Sequence, residues 1–180
     1  MSARTDRLAT LQPVFVVAAL AAVGALAGVV WQWAWTPTVG VVVDHRWTAG
    51  DAIGLQQEFS GTGWYVVVAL VAGLVGGIAV ALLADRVPLL TLAAVVVGSA
   101  LAAWLMIVVG TALGPPDPDV AARTAGDGTR IPMQLGVTGH SAWFALPSGA
   151  LIGLLLVFIG LSPRHPAPSV ESPPDTVAAG

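Results

Sequence analysis

Four long apolar runs, Val14–Trp35, Trp64–Ala84, Leu89–Leu113 and Ala142–Leu161, contain no Asp, Glu, Lys, Arg or His. Each is long enough to cross a hydrocarbon core of roughly 30 Å at about 1.5 Å per helical residue. A backbone amide in lipid has no water to bond to, so such runs must be helices. The expected fold is an all-α membrane protein with four transmembrane helices, with spans at about 14–35, 64–84, 89–113 and 142–161. Around them lie an N-terminal segment 1–12, loops 36–63 and 114–141, and a Pro- and Ser-rich tail 162–180 that is expected to be disordered. Residues 13–161 then form the transmembrane domain. Asp85-Arg86-Val87-Pro88 makes a short turn, and Pro88 suits the first turn of the third helix, where its missing N–H costs nothing.

The composition supports this reading. Charged residues are 9 % of the chain and hydrophobic residues 56 %, and mean hydropathy is +0.84. A soluble domain carries about 25 % charged residues. All seven basic residues are Arg and are dispersed, so there is no clustered basic footprint for nucleic acid. The absence of Cys excludes disulfides and thiolate chemistry. The first run continues past the 7–15 residues of a signal-peptide core, so it reads as a span and not a cleaved leader.

Arg4, Arg7, Arg86 and Arg164 lie close to span ends, while Arg46, Arg123 and Arg130 lie within the longer loops. The positive-inside rule then puts both termini in the cytoplasm of a plasma (inner) membrane and the two long loops outside. Those loops carry six acidic residues, Asp44, Asp51, Glu58, Asp117, Asp119 and Asp127, against three Arg. Trp31, Trp33, Trp35, Trp64, Tyr65, Trp104, Trp143 and Phe144 then share one half of the membrane, as an interfacial aromatic belt would.

The two loops share a phrase. Thr48-Ala49-Gly50-Asp51 recurs as Thr124-Ala125-Gly126-Asp127, and Thr62-Gly63 as Thr138-Gly139, both at an offset of 76. Ala69-Leu70, Gly73 and Gly77 match Ala145-Leu146, Gly149 and Gly153 at the same spacing. The pattern suggests two helix–loop–helix hairpins repeated in parallel orientation. Val39–Trp47 reads as a strand and Thr129–Val137 as a second, interrupted by Pro132, so short β-strands from the two loops could pair. The loops are expected to cap the helices without a core of their own.

Membrane helices associate through small residues, and each span has them four apart: Gly24 and Gly28; Ala69, Gly73, Gly77 and Ala81; Ala94, Gly98 and Ala102; Ala145, Gly149 and Gly153. These faces serve internal packing, a membrane partner or a homo-oligomer. Pro147, one turn into the last span, predicts a bend.

Proton-coupled carriers place ionisable groups inside their spans, and these spans have none. The polar residues within or near the spans are Gln32, Thr91, Ser99, Thr111 and Ser148; the Ser and Thr are expected to bond to their own backbone and Gln32 to be interfacial. His45 and His140 with Glu58 could in principle hold a metal, but no ligand spacing supports it. His140-Ser141 lacks a nucleophile elbow and reads as capping or loop packing. No catalytic, cofactor-binding or metal-ligating residue is assigned, and no cofactor is expected.

Trp31–Trp35 with Thr36-Pro37, then Gly40-Val41-Val42, Glu58-Phe59 and Gly63-Trp64-Tyr65, resemble actinobacterial multi-pass membrane proteins grouped as domain-of-unknown-function family 2567. The resemblance covers most of residues 20–160 and implies four spans; it implies no activity and no catalytic residues. The expected function is that of a non-enzymatic accessory or scaffold subunit in the cell envelope, acting by helix packing and acidic outer loops. The alternative is a channel or facilitator for a small neutral or lipid-like solute.

Overall fold

The computed structural model describes residues 2–49, 52–83 and 88–161. Gly50, Asp51, the turn residues 84–87 and the tail 162–180 lie outside them. The elements run α1 (Ser2–Ala34), β1 (Val39–Val43), β2 (Arg46–Thr48), α2 (Ala52–Leu83), α3 (Pro88–Leu113), α4 (Pro118–Ala122), β3 (Arg130–Pro132), a 3₁₀ turn (His140–Phe144) and α5 (Ala145–Leu161). Four helices are long and apolar enough to cross a membrane.

Each boundary has a local cause. Pro37 bars α1 from continuing and pushes Thr36 out of helical geometry. Pro88 is the first residue of α3. α2 begins at Ala52, well before the apolar run that marked its expected start at Trp64. Hydropathy located the greasy part of that helix, but nothing in Gln56-Gln57-Glu58 breaks helical geometry, and these are good helix formers. Pro147 does not bend a long helix: a 3₁₀ turn ends at Phe144 and α5 starts at Ala145. The proline therefore falls in the first turn, where no N–H is needed.

The helices pair most closely across the sequence. α1 runs along α3 and α2 along α5, while the chain neighbours α1 and α2, and α3 and α5, touch more lightly. Both close pairs are parallel, because contact positions rise together along both chains. Glycine is what brings the backbones together. A Cβ on Gly24 would strike the backbone of Ala102, and one on Gly28 would lie 2.6 Å from the Met106 carbonyl oxygen. In the other pair, Gly73 and Gly77 meet the carbonyls of Leu146 and Ala150, and Gly149 and Gly153 meet those of Leu70 and Leu74. Bilayer lipid is as apolar as Leu, so this close approach is the means of holding such helices together.

Side chains fill the remaining core: Leu20, Trp31, Tyr65, Val95, Met106, Leu135 and Leu146 are buried. The aromatic belt needs correction here. Trp31 and Tyr65 are fully buried and meet edge-to-face at 5.2 Å between ring centroids, and Trp35 is also buried. Trp31 Nε1 donates to the Gly61 carbonyl at 2.9 Å, a bond that lets a polar ring edge sit inside. Trp33, Trp64, Trp104, Trp143 and Phe144 do face outward. As expected, Ser99 Oγ donates to the Val96 carbonyl at 3.1 Å and Thr111 Oγ1 to that of Ile107 at 2.7 Å.

Both loops contribute to one small cap. β1 pairs antiparallel with β2 and, from the other loop, with β3, giving the order β2-β1-β3. Pro132 is tolerated because β3 is an edge strand. The cap has a core of its own, contrary to expectation: Val42, Ala122 and Ile131 are buried, with Trp47, Ala121 and Ala125 packed against them. Neither loop could bury it alone, but a hairpin from one and a helix and strand from the other share it.

Candidate binding site: a charged cleft in the cap

The cap presents a cleft of about 550 Å³ lined by Asp44, His45, Arg46, Trp47, Asp119 and Arg123. Two tight structures position these groups. Asp44 and His45 form the two-residue turn between β1 and β2, with φ of 52° and 58°. Positive φ at both central positions is the type I′ hairpin geometry, which matches strand twist but favours Asn-Gly. His45 carries a Cβ in that region at a cost of about 1–2 kcal/mol. The strain puts its imidazole at the tip of the hairpin, on the edge of the cleft.

Trp47 forms the cleft's rigid wall. Its Nε1 donates to the Ile131 carbonyl at 3.0 Å, tying the hairpin to the second loop. Its indole lies against Gly40, where any Cβ would collide with the ring. Asp119 belongs to α4, whose N-terminus is capped when Asp117 Oδ1 accepts from the Asp119 N–H at 2.9 Å. Arg123 is at the C-terminal cap of the same helix. Among the described residues no ion pair joins these two guanidinium groups to the two carboxylates. The cleft therefore offers separate cationic and anionic handles beside an aromatic wall, a surface suited to a polar partner of mixed charge.

The proposed trio of His45, His140 and Glu58 does not assemble. His45 lines the cleft and His140 does not; the side chain of Glu58 lies outside those described. Among the described residues no three His, Asp or Glu gather as metal ligands would. His140 is exposed and caps nothing, because Gly139 at φ 89° opens the 3₁₀ turn without a side-chain cap. Sequence reasoning missed Arg46, Trp47, Asp119 and Arg123 as a group. The signal available was Asp44-His45 between two β-branched or aromatic stretches, which marks a turn and therefore a presented tip. No family model matches the chain, and no curated protein or solved structure does so either.

Proposed function

We propose that this chain is a four-span membrane protein of the cell envelope that acts as an accessory or scaffold subunit, without enzymatic activity. Both termini face the cytoplasm of the plasma membrane, and the cap faces outside and contacts a partner through its charged cleft. The observation that carries this reading is how the cleft is mounted. Its walls come from both loops, and the second loop is tied to the helices below by Leu135, which is buried in the main core, and by the Thr138 N–H, which donates to Thr62 Oγ1 of α2. A rigid mount loses little freedom on binding, which favours recognition.

The same reading includes an internal duplication. Residues 76 apart exchange contacts reciprocally: Gly73 meets Leu146 as Gly149 meets Leu70, and Gly77 meets Ala150 as Gly153 meets Leu74. Thr62 Oγ1 accepts from the N–H of Thr138, its own equivalent, at 2.9 Å. The shared Thr-Ala-Gly-Asp phrase contributes less. Thr48 ends a strand while Thr124 follows α4, so those copies occupy different local structures. Membership of family 2567 is proposed on the residues quoted for it alone.

Affinity capture of the full chain from native membranes in mild detergent tests the proposal. A second envelope protein is expected to co-purify, and Arg46→Glu with Arg123→Glu to reduce its yield at least about tenfold, the range for losing paired interfacial charges. Recovery of the wild-type chain alone would overturn the scaffold reading. Flux of a neutral solute through reconstituted vesicles would favour the facilitator instead.

A further inference from the structure

A second concavity lies between α1 and α2, far along the bundle from the cap. It holds about 390 Å³ and is walled by Phe15, Ala19, Val23, Gly76, Ala79 and Leu83, with Gln12 at its end. The groove exists because α1 and α2 touch only lightly and because small residues, Ala19, Gly76 and Ala79, face the gap. Its walls are apolar with one exception. The amide nitrogen of Gln12 is buried and donates to nothing. A buried N–H₂ left unpaired costs on the order of 1–3 kcal/mol, so some acceptor is expected to meet it.

We propose that this groove holds one acyl chain of a membrane glycerolipid, with the Gln12 amide donating to its ester carbonyl. The inference rests on the membrane reading above and extends it to a specific site. Three observations select the occupant. From Gln12 to Val23 the groove runs about 16 Å along α1, close to the ~15 Å depth of one leaflet. Gln12 lies between Arg7, the last charged residue before the span, and Val14, where the unbroken apolar run opens, so its amide sits near the level of the lipid ester groups. The volume excludes a thicker guest: a helix about 10 Å wide and as long as the groove occupies about 1,200 Å³. A single file of methylenes fits wholly inside, whereas a helix of a second copy would stand largely outside it.

Photolabelling tests the site directly. The full chain is reconstituted into vesicles of phosphatidylcholine with a minority of phosphatidylglycerol, doped with phosphatidylcholine bearing a diazirine in one acyl chain. Labelled residues are mapped by mass spectrometry. The expected result is labelling of Phe15, Ala19 and Ala79 well above that of the outward Val67 and Leu155, which line no groove. Gln12→Leu should lower the groove signal about fivefold, the worth of one hydrogen bond. Ala79→Phe, at an exposed position where added bulk does not threaten folding, should abolish it. Equal labelling of every outward face, or a groove signal that both variants leave unchanged, overturns the acyl-chain site while leaving the membrane reading intact. No labelling on any face overturns the membrane reading itself. Because the chain has no Cys of its own, Ala19→Cys provides the remaining check: a chain-to-chain disulfide there would mean that a second copy fills the groove, and would overturn the proposal.

Discussion

The two close helix pairs reach the same closeness by different means. In α2 and α5 the glycines are reciprocal: each helix contributes two, and each meets carbonyls of the other. In α1 and α3 the pairing is unequal. Gly24 and Gly28 of α1 lie against Ala102 and Met106, while Gly98 and Gly110 of α3 receive the bulk of Leu20 and Trp31. The first interface is backbone on backbone. The second is partly a knob set into a glycine hollow, and its Trp31 also bonds the Gly61 carbonyl of α2. A pair that only has to hold can stay symmetric. A pair that also bonds a third helix cannot, because only α1 supplies the ring that reaches α2.

The contrast is broken most severely at its symmetric side. In Gly149→Leu the new side chain meets the Leu70 carbonyl and the backbone of Leu74, and a backbone cannot step aside. Overpacking usually costs about 1–3 kcal/mol where side chains can yield. Here the loss should exceed that range and split the α2–α5 pair, read as loss of the monodisperse species in detergent. Normal thermal stability for this variant would refute backbone-to-backbone packing. On the unequal side Trp31→Ala empties the hollow over Gly110 and removes the indole bond to the Gly61 carbonyl. The expected cost is about 3–5 kcal/mol, with the α1–α3 pair becoming more open to hydrogen exchange than the α2–α5 region.

The cap responds in the opposite direction. Replacing His45 by Gly relieves a Cβ held at φ 58°. The turn should gain about 1 kcal/mol, visible as a higher melting temperature, while the cleft loses its imidazole. A stability loss would mean that the His45 side chain makes contacts that outweigh its strain.

These differences mark what the sequence could disclose. The four helices were legible because absence of charge over some twenty residues has one structural solution in lipid. The glycine faces were legible through their four-residue spacing and the first strand through the β-branched run Val41-Val42-Val43, but the single strand expected over Val39–Trp47 is a hairpin turning at Asp44-His45, and the one expected over Thr129–Val137 covers only Arg130–Pro132. Which helix each glycine face meets was not, because the same spacing serves any neighbour. The burial of Trp31, Trp35 and Tyr65 was hidden for a related reason: a ring whose polar edge finds a backbone carbonyl looks, in sequence, like one anchored at the headgroups. The cleft was illegible because it joins Arg46 to Arg123 across two loops that no periodicity connects. Gln12 escaped notice because, with Pro13, it interrupts the apolar pattern and so falls just outside the unbroken run that opens at Val14.

The smallest expected effect gives the sharpest reading of the duplication. On the proposed duplication Thr62 and Thr138 are equivalent positions, yet only one hydroxyl is used in the bond between them: Thr62 Oγ1 accepts from the Thr138 N–H. Thr62→Val removes an exposed hydrogen bond and should cost about 0.5–1 kcal/mol. Thr138→Val removes a hydroxyl that plays no part in that bond, keeps the backbone donor, and should cost nothing measurable. If both variants lose stability equally, the two hydroxyls alternate as acceptors and the cap ends of α2 and α5 are interchangeable. If only Thr62→Val does, the two halves have already parted at this point, where a two-residue match in sequence would still count them as the same.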